Sequence, residues 1–226
     1  MRTTVTLTRT APESEQDITG AFARFDASPA PASLGTLRRQ LFGYHDLLVH
    51  IQDFASEQPA VPGIELKADP DFGRLTEDLA PLLSAYEEGA ELAPLDAMAT
   101  RFYAWQGKPV AAGEVLHSTV IVNRMDPVVI PEVSRLFAEL DATDFPHHMG
   151  TRRRQLFNLG GVYFHIQDFV LADGYALIDQ AWKEADPRFI KICRELEPLV
   201  KVYDPATWRS TADQVGTRFY RWEASA

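Results

Sequence analysis

The sequence predicts an α+β fold in which one βαββαβ unit occurs twice. Residues 35–54, GTLRRQLFGYHDLLVHIQDF, return at 150–169 as GTRRRQLFNLGGVYFHIQDF, identical at 12 of 20 positions without a gap. Around both copies, period-two and helical spacing alternate in the same order. Glycine, proline and small residues at 107–116 separate the copies as a linker. The expected domains are therefore 1–106 and 117–226.

The elements follow in order. Thr4-Val5-Thr6-Leu7-Thr8 alternates strictly, the pattern of a half-buried strand. Pro12-Glu13-Ser14 opens a helix that carries Ile18, Phe22 and Phe25 at helical spacing. The repeated stretch reads as strands over about 36–42 and 47–54, joined through Gly43-Tyr44-His45-Asp46. A proline-rich loop at 58–63 precedes a helix over about 71–86, and Thr100 to Trp105 forms the last strand. This order is that of a ferredoxin-like unit. In the second copy, Thr119–Arg124 matches Thr4–Arg9, Asp186-Pro187 matches Asp69-Pro70, and Arg218-Phe219-Tyr220 matches Arg101-Phe102-Tyr103. The copies diverge at 172–184, an apolar-periodic helix, where Pro59 and Pro62 impose a loop on the first copy. A four-stranded sheet with helices on one face leaves the other face bare. Two tandem units packed as a pseudo-dimer, sheet toward sheet around an interior, would cover both.

Composition narrows the function. The chain has 226 residues and a net charge of −10, from 22 basic and 32 acidic residues, which argues against a nucleic-acid partner. No apolar run is long enough to span a membrane, so no membrane partner and a cytoplasmic location are expected. Cys193 is the only cysteine, which rules out an intrachain disulfide and a cysteine-based zinc site. The sequence lacks a glycine-rich phosphate loop and a nucleophile elbow. Any catalysis is expected to be acid/base work with no cofactor and no metal.

The candidate chemistry sits in the repeated hairpin. With a two-residue loop at Tyr44-His45, Arg39 lies opposite His50, and Arg154 opposite His165, with Gln52 and Gln167 further along the same face. A histidine can move protons near neutral pH, and a fixed arginine can hold an enolate or phenolate oxygen. The structural alternative is a histidine bonded within the sheet and an arginine paired with a carboxylate. Asp26 and Asp141 end the first helix of each half, a position that also suits a plain turn residue. Tyr103, Trp105, Tyr220 and Trp222 share strand faces with Arg101 and Arg218 and are expected to line a core or a cavity suited to a flat aromatic ligand. His147 and His148 are adjacent, which argues against a shared metal site.

Arg124-Met-Asp-Pro127, the Phe137 to Asp141 segment, the Gly150 to Phe157 run and the His165 to Phe169 strand together resemble the tetracenomycin-type aromatic polyketide cyclases. The resemblance covers nearly all of 117–226 and, more weakly, 3–106. It implies a ferredoxin-like α+β barrel that normally pairs two chains, supplied here by one chain as a pseudo-dimer or by a homodimer. It also implies cofactor-free aldol cyclisation and dehydration of a poly-β-keto or partly cyclised aromatic substrate in antibiotic or pigment biosynthesis, with type II polyketide synthase components as candidate partners. The family's functional arginine falls on Arg154 and Arg39, its histidine on His165 and His50, and its aspartate on Asp141 and Asp26. The family's histidine before that aspartate is replaced by Leu140 and Phe25. The first arginine of the RRR run is Leu37 in the first copy, so the second copy is the better candidate for activity. A cofactor-free anthrone-type monooxygenase and a non-catalytic polyketide-binding protein are the competing readings.

Overall fold

A computed structural model describes residues 1–56, 69–86, 97–111 and 114–224. Its residues cluster into two units, 1–99 with the segment from 217, and 100–216. Each is built around a five-stranded antiparallel sheet.

In the first copy, β1 (Arg2–Thr10), α1 (Glu15–Asp26), the short α2 (Ala30–Ser33), β2 (Thr36–Tyr44) and β3 (Leu47–Phe54) follow the expected order. After 57–68, which lie outside the described residues, come α3 (Pro70–Leu79), β4 (Leu83–Ala85) and β5 (Thr100–Gln106). The second copy repeats this as β6 (His117–Met125), α4 (Ile130–Asp141), α5 (Phe145–His148), β7 (Thr151–Leu159) and β8 (Val162–Phe169). It continues with α6 (Gly174–Glu184), α7 (Pro187–Leu196), β9 (Val200–Val202) and β10 (Thr217–Glu223). The expected helix at 172–184 is therefore α6, whereas the loop expected opposite it in the first copy falls on undescribed residues. The helix expected over 71–86 stops at Leu79, and its end turns into the short strand β4. Asp69 and Asp186 start α3 and α7 by accepting backbone N–H groups, with proline at the first helical position.

Sequence reading assigned β5 to the sheet of the first copy and β10 to that of the second. The strand orders are instead β10-β2-β3-β1-β4 and β5-β7-β8-β6-β9. The last strand of each repeat completes the other repeat's sheet, so the repeats and the folded units differ by one exchanged strand. The reason is the path taken before each strand. Residues 97–99 pair along β1, with Leu7 N–H donating to Ala97 and Ala99 N–H to Val5. That is the edge of the sheet away from β2, so β5 has no short route to the position beside β2. Val215 and Gly216 pair with β6 in the same way ahead of β10. Composition could not reveal this, because TRFYAWQ and TRFYRWE offer either sheet nearly the same strand.

The hairpins also shift from the expected register. Their two-residue loops are His45-Asp46 and Gly160-Gly161, with His45 and both glycines at positive φ, the conformation that the tight turn requires. Arg39 thus lies opposite Gln52 and Arg154 opposite Gln167, two residues from the expected pairing. A shift of two preserves the side-chain face. Arg39 and His50 therefore remain neighbours on the helix-covered face, now diagonally.

That face holds the core of each unit. In the second unit Val133, Leu136, Phe137 and Leu140 of α4 pack with Leu156, Tyr163, Ile178 and Ile192. In the first, Ile18, Phe22 and Phe25 of α1 pack with Leu41, Leu48, Leu75 and Leu79. Full burial of one such side chain stabilises the fold by about 1.5–3 kcal/mol. No helix among the described residues is long and apolar enough to cross a membrane.

Candidate active site

The three arginines at 152–154 separate because β7 carries a bulge between Thr151 and Arg153. Arg152 occupies the bulge and reaches Glu114 at 3.1 Å. Arg153 turns to one face and pairs with the buried Asp168 at 2.6 Å. Arg154 turns to the helix-covered face. Leu37 takes the bulge position in β2 and is exposed, while Arg38 pairs with Asp53. Within the arginine run the copies differ at the bulge position, where Arg152 pairs with Glu114 and Leu37 is exposed.

Arg154 is 2% exposed and organises the second site. Its Nε donates to both carboxylate oxygens of Asp141, at 3.1 and 3.0 Å. Its Nη1 lies 2.8 Å from His165 Nε2. Tyr103, from the exchanged strand β5, donates its hydroxyl to Asp141 Oδ2 at 2.9 Å. A bulge between Arg101 and Tyr103 lets β5 turn Tyr103 inward while Arg101 reaches Gln155 instead, so the two do not share a face as expected. The first site repeats the plan: Arg39 Nε donates to Asp26 at 3.0 Å, Nη1 meets His50 Nε2 at 2.8 Å, and Tyr220 of β10 donates to Asp26 at 2.9 Å. The expected Arg/His pair and its structural alternative are both present, since each arginine holds a histidine and a carboxylate together.

An arginine can only donate, so Nε2 of each histidine accepts and the ring proton sits on Nδ1. Burial, reinforced by the adjacent arginine charge, holds His165 and His50 well below the ordinary 6.5. The rings are neutral at physiological pH and present an N–H donor rather than a proton poised to shuttle. Burial also raises Asp141 and Asp26 above the usual carboxylate range, against the pull of their arginines and tyrosines. The Tyr103 hydroxyl is raised by burial and by Asp141, so it stays protonated and donates.

Beside the second site lies a cavity of about 690 Å³. Arg154, His165 and Gln167 line it, and Phe137, Phe145 and Trp182 are among its apolar walls. Arg154 Nη2 is buried with no hydrogen-bond partner. Leu140, which replaces the histidine expected before the aspartate, is also part of the wall. Tyr103 lies behind Arg154 rather than in the wall, and Trp105 contacts the His147 ring at 5.4 Å. Trp222 lies opposite Arg39 in the sheet. Gln52 and Gln167 donate to Thr36 and Thr151 at 2.7 and 3.2 Å. His148 faces Glu184 at the surface, so the two adjacent histidines do not converge. Sequence reading missed Asn123 and Tyr163, which line the same cavity. The available signal was polar and aromatic residues at period two in strands otherwise rich in valine and isoleucine.

Comparison with known proteins matches the chain to a family. The family model described as polyketide synthesis cyclase matches twice, over residues 2–106 and 117–223. An uncharacterised Streptomyces coelicolor protein is 40% identical over 109 residues, which is 48% of this chain and 96% of the relative. Tetracenomycin F2 cyclase of Streptomyces glaucescens is 29% identical over 108 residues, 48% of this chain and 95% of that enzyme. A Lactobacillus acidophilus protein, solved as a candidate monooxygenase, superposes with a TM-score of 0.60 over 99% of this chain and 97% of its own. At 11% identity that likeness shows the fold alone. The doubled match covers almost the whole chain, and the chain belongs to the polyketide synthesis cyclase family, carrying the family's unit twice.

Proposed function

We propose that the second unit closes a ring in a poly-β-keto or partly cyclised intermediate by cofactor-independent intramolecular aldol condensation with loss of water. One observation carries this: Arg154, fixed by Asp141 and His165, leaves Nη2 unpartnered at the wall of an apolar cavity. A carbonyl oxygen placed there accepts from Nη2, and the Nδ1–H of neutral His165 supplies a second donor. Both gain strength as the oxygen becomes enolate or alkoxide, which is how donors fixed in advance accelerate such steps. The CH between two carbonyls of a polyketide is acidic enough to give its proton to water. The aldol alkoxide takes a proton back, and the hydroxyl leaves with the remaining α-proton as water. The chain's contribution is therefore to hold the oxyanion and fold the substrate. Aromatisation drives the loss of water. Asp141 and Tyr103 serve as positioning residues that keep the guanidinium in one orientation.

The test is product analysis with a reconstituted minimal polyketide synthase, run with and without oxygen. The chain is expected to redirect products to a cyclised compound under anaerobic conditions, and His165→Ala to lower that conversion by about 10²-fold. The same product profile with and without the chain would end this reading. Oxygen uptake coupled to product would replace it with oxidation of an anthrone-type compound.

A further inference from the structure

Four buried side-chain polar atoms among the described residues have no hydrogen-bond partner, and three of them belong to side chains lining the cavity of the second unit. They are Arg154 Nη2, the Tyr163 hydroxyl and Asn123 Oδ1. An unpartnered buried polar atom costs folding free energy, so three around one cavity need a reason. Their placement supplies it. Tyr163 lies two residues before His165 on β8 and shares its face. Asn123 lies directly opposite Tyr163 on β6. The neighbouring position on β6, opposite His165, is Ile121. The wall thus runs from Arg154 and His165 to Tyr163 and then Asn123.

We propose that Tyr163 and Asn123 are specificity-determining residues that bind a hydroxyl-bearing end of a flat aromatic ligand and so set which carbonyl lies at Arg154. This rests on the reading of the cavity as a polyketide site and adds what its far end recognises. Asn123 Nδ2 donates to Gln214 Oε1 at 2.9 Å, which fixes the amide so that Oδ1 is left as an acceptor. An acceptor at that point takes a ligand O–H. The Tyr163 side chain is 2% exposed and lies close enough to Arg154 to feel its charge. Burial raises its hydroxyl above the ordinary 10, so it remains a donor, able to bond a keto or phenolic oxygen. Together the row reads donor, donor, donor, acceptor from Arg154 through His165 and Tyr163 to Asn123, which matches oxygens repeating along one edge of a ligand. The first unit has no such row, since the matching residues are Leu48 and Thr8.

The experiment titrates the full chain with a dihydroxyanthraquinone and with the parent anthraquinone, following quenching of Trp182 and Trp208, which line the cavity. Wild type is expected to bind the hydroxylated probe about tenfold more tightly, and Tyr163→Phe and Asn123→Leu each to lose most of that preference while retaining affinity for the parent. Tyr163→Phe should also keep or raise the melting temperature, because the hydroxyl it removes is unpartnered. Equal binding of the two probes by wild type, retained preference in both variants, or a fall in the Tyr163→Phe melting temperature would each overturn the proposal. The outcome is independent of turnover. Lost preference upholds the row even where the synthase assay yields no ring, and retained preference removes it even where a ring forms.

Discussion

The two units hold the same Asp–Arg–His arrangement to within about 0.1 Å in its hydrogen bonds, yet they surround it differently. In the first, Thr6 stands opposite His50 and its hydroxyl lies 3.3 Å from Nδ1, while Arg39 Nη1 also reaches Gln52 Oε1 at 3.4 Å. In the second, Ile121 replaces the threonine, and Arg154 keeps a donor without a partner. The first site gives its histidine Nδ1 and its arginine Nη1 a further partner within the sheet. The second has no threonine opposite its histidine and lies beside a cavity. Duplication copied the charged arrangement, and a few neutral neighbours decide whether it is available to a ligand.

Removing the arginines gives the largest separation. Arg154→Ala and Arg39→Ala each strand a buried aspartate, so each should destabilise the fold by about 3–5 kcal/mol in denaturant unfolding. Only Arg154→Ala should also lower cyclisation, by about 10²- to 10³-fold, measured on whatever fraction remains folded. Equal losses of activity would mean that both sites turn over and the comparison is wrong.

Acid titration should make the units look alike. Both histidines have folded pKa values well below 6.5, so below that pH the unfolded chain binds more protons than the folded one. Their stability contribution is complete above about pH 6.5 and is lost as pH falls, at no more than about 1.4 kcal/mol per pH unit for each ring. The raised aspartates act in the opposite sense, their contribution declining as pH rises from the ordinary 3.8 toward the folded value. His50→Gln and His165→Gln should each flatten the limb just below pH 6.5 by a similar amount in pH-dependent denaturant unfolding. A flattening by only one would show that the second ring is solvated.

The smallest change tests the neighbours directly. Ile121→Thr places a hydroxyl where Thr6 stands in the first unit and should lower turnover several-fold, on the scale of one neutral hydrogen bond competing for His165. Thr6→Val should leave turnover unchanged. If Ile121→Thr has no effect, the Nδ1 side of the ring takes no part in the reaction.

Much of this was legible in the sequence, and the exceptions share a cause. The duplicated run put Arg154 and His165 on one face because short-range spacing sets which face a strand residue takes, whereas Asp141, at a helix end, was singled out as functional only by the resemblance. The register error of two did no harm to that inference, since the pleat has the same period. The tyrosine partners were found as residues but not in their roles. Tyr103 meets Asp141 only because β5 belongs to the second sheet, and near-identical strand sequences carry no record of which edge each one joins. Asn123 and Tyr163 share the period-two face of His165, but period two alone does not separate a cavity-lining polar residue from one bonded within the sheet.

The exchanged strands also bear on the order in which the chain can fold as it is made. The second sheet uses strands that are contiguous along the chain, from residue 100 to residue 202, and can close as soon as those have emerged. The first sheet must wait with the edge of β2 unpaired until residues 217–223 arrive, after the whole of the other sheet. An open edge is a template for pairing with another molecule. The unit synthesised first is therefore the one that matures last, and its site gains Tyr220 only with the last strand.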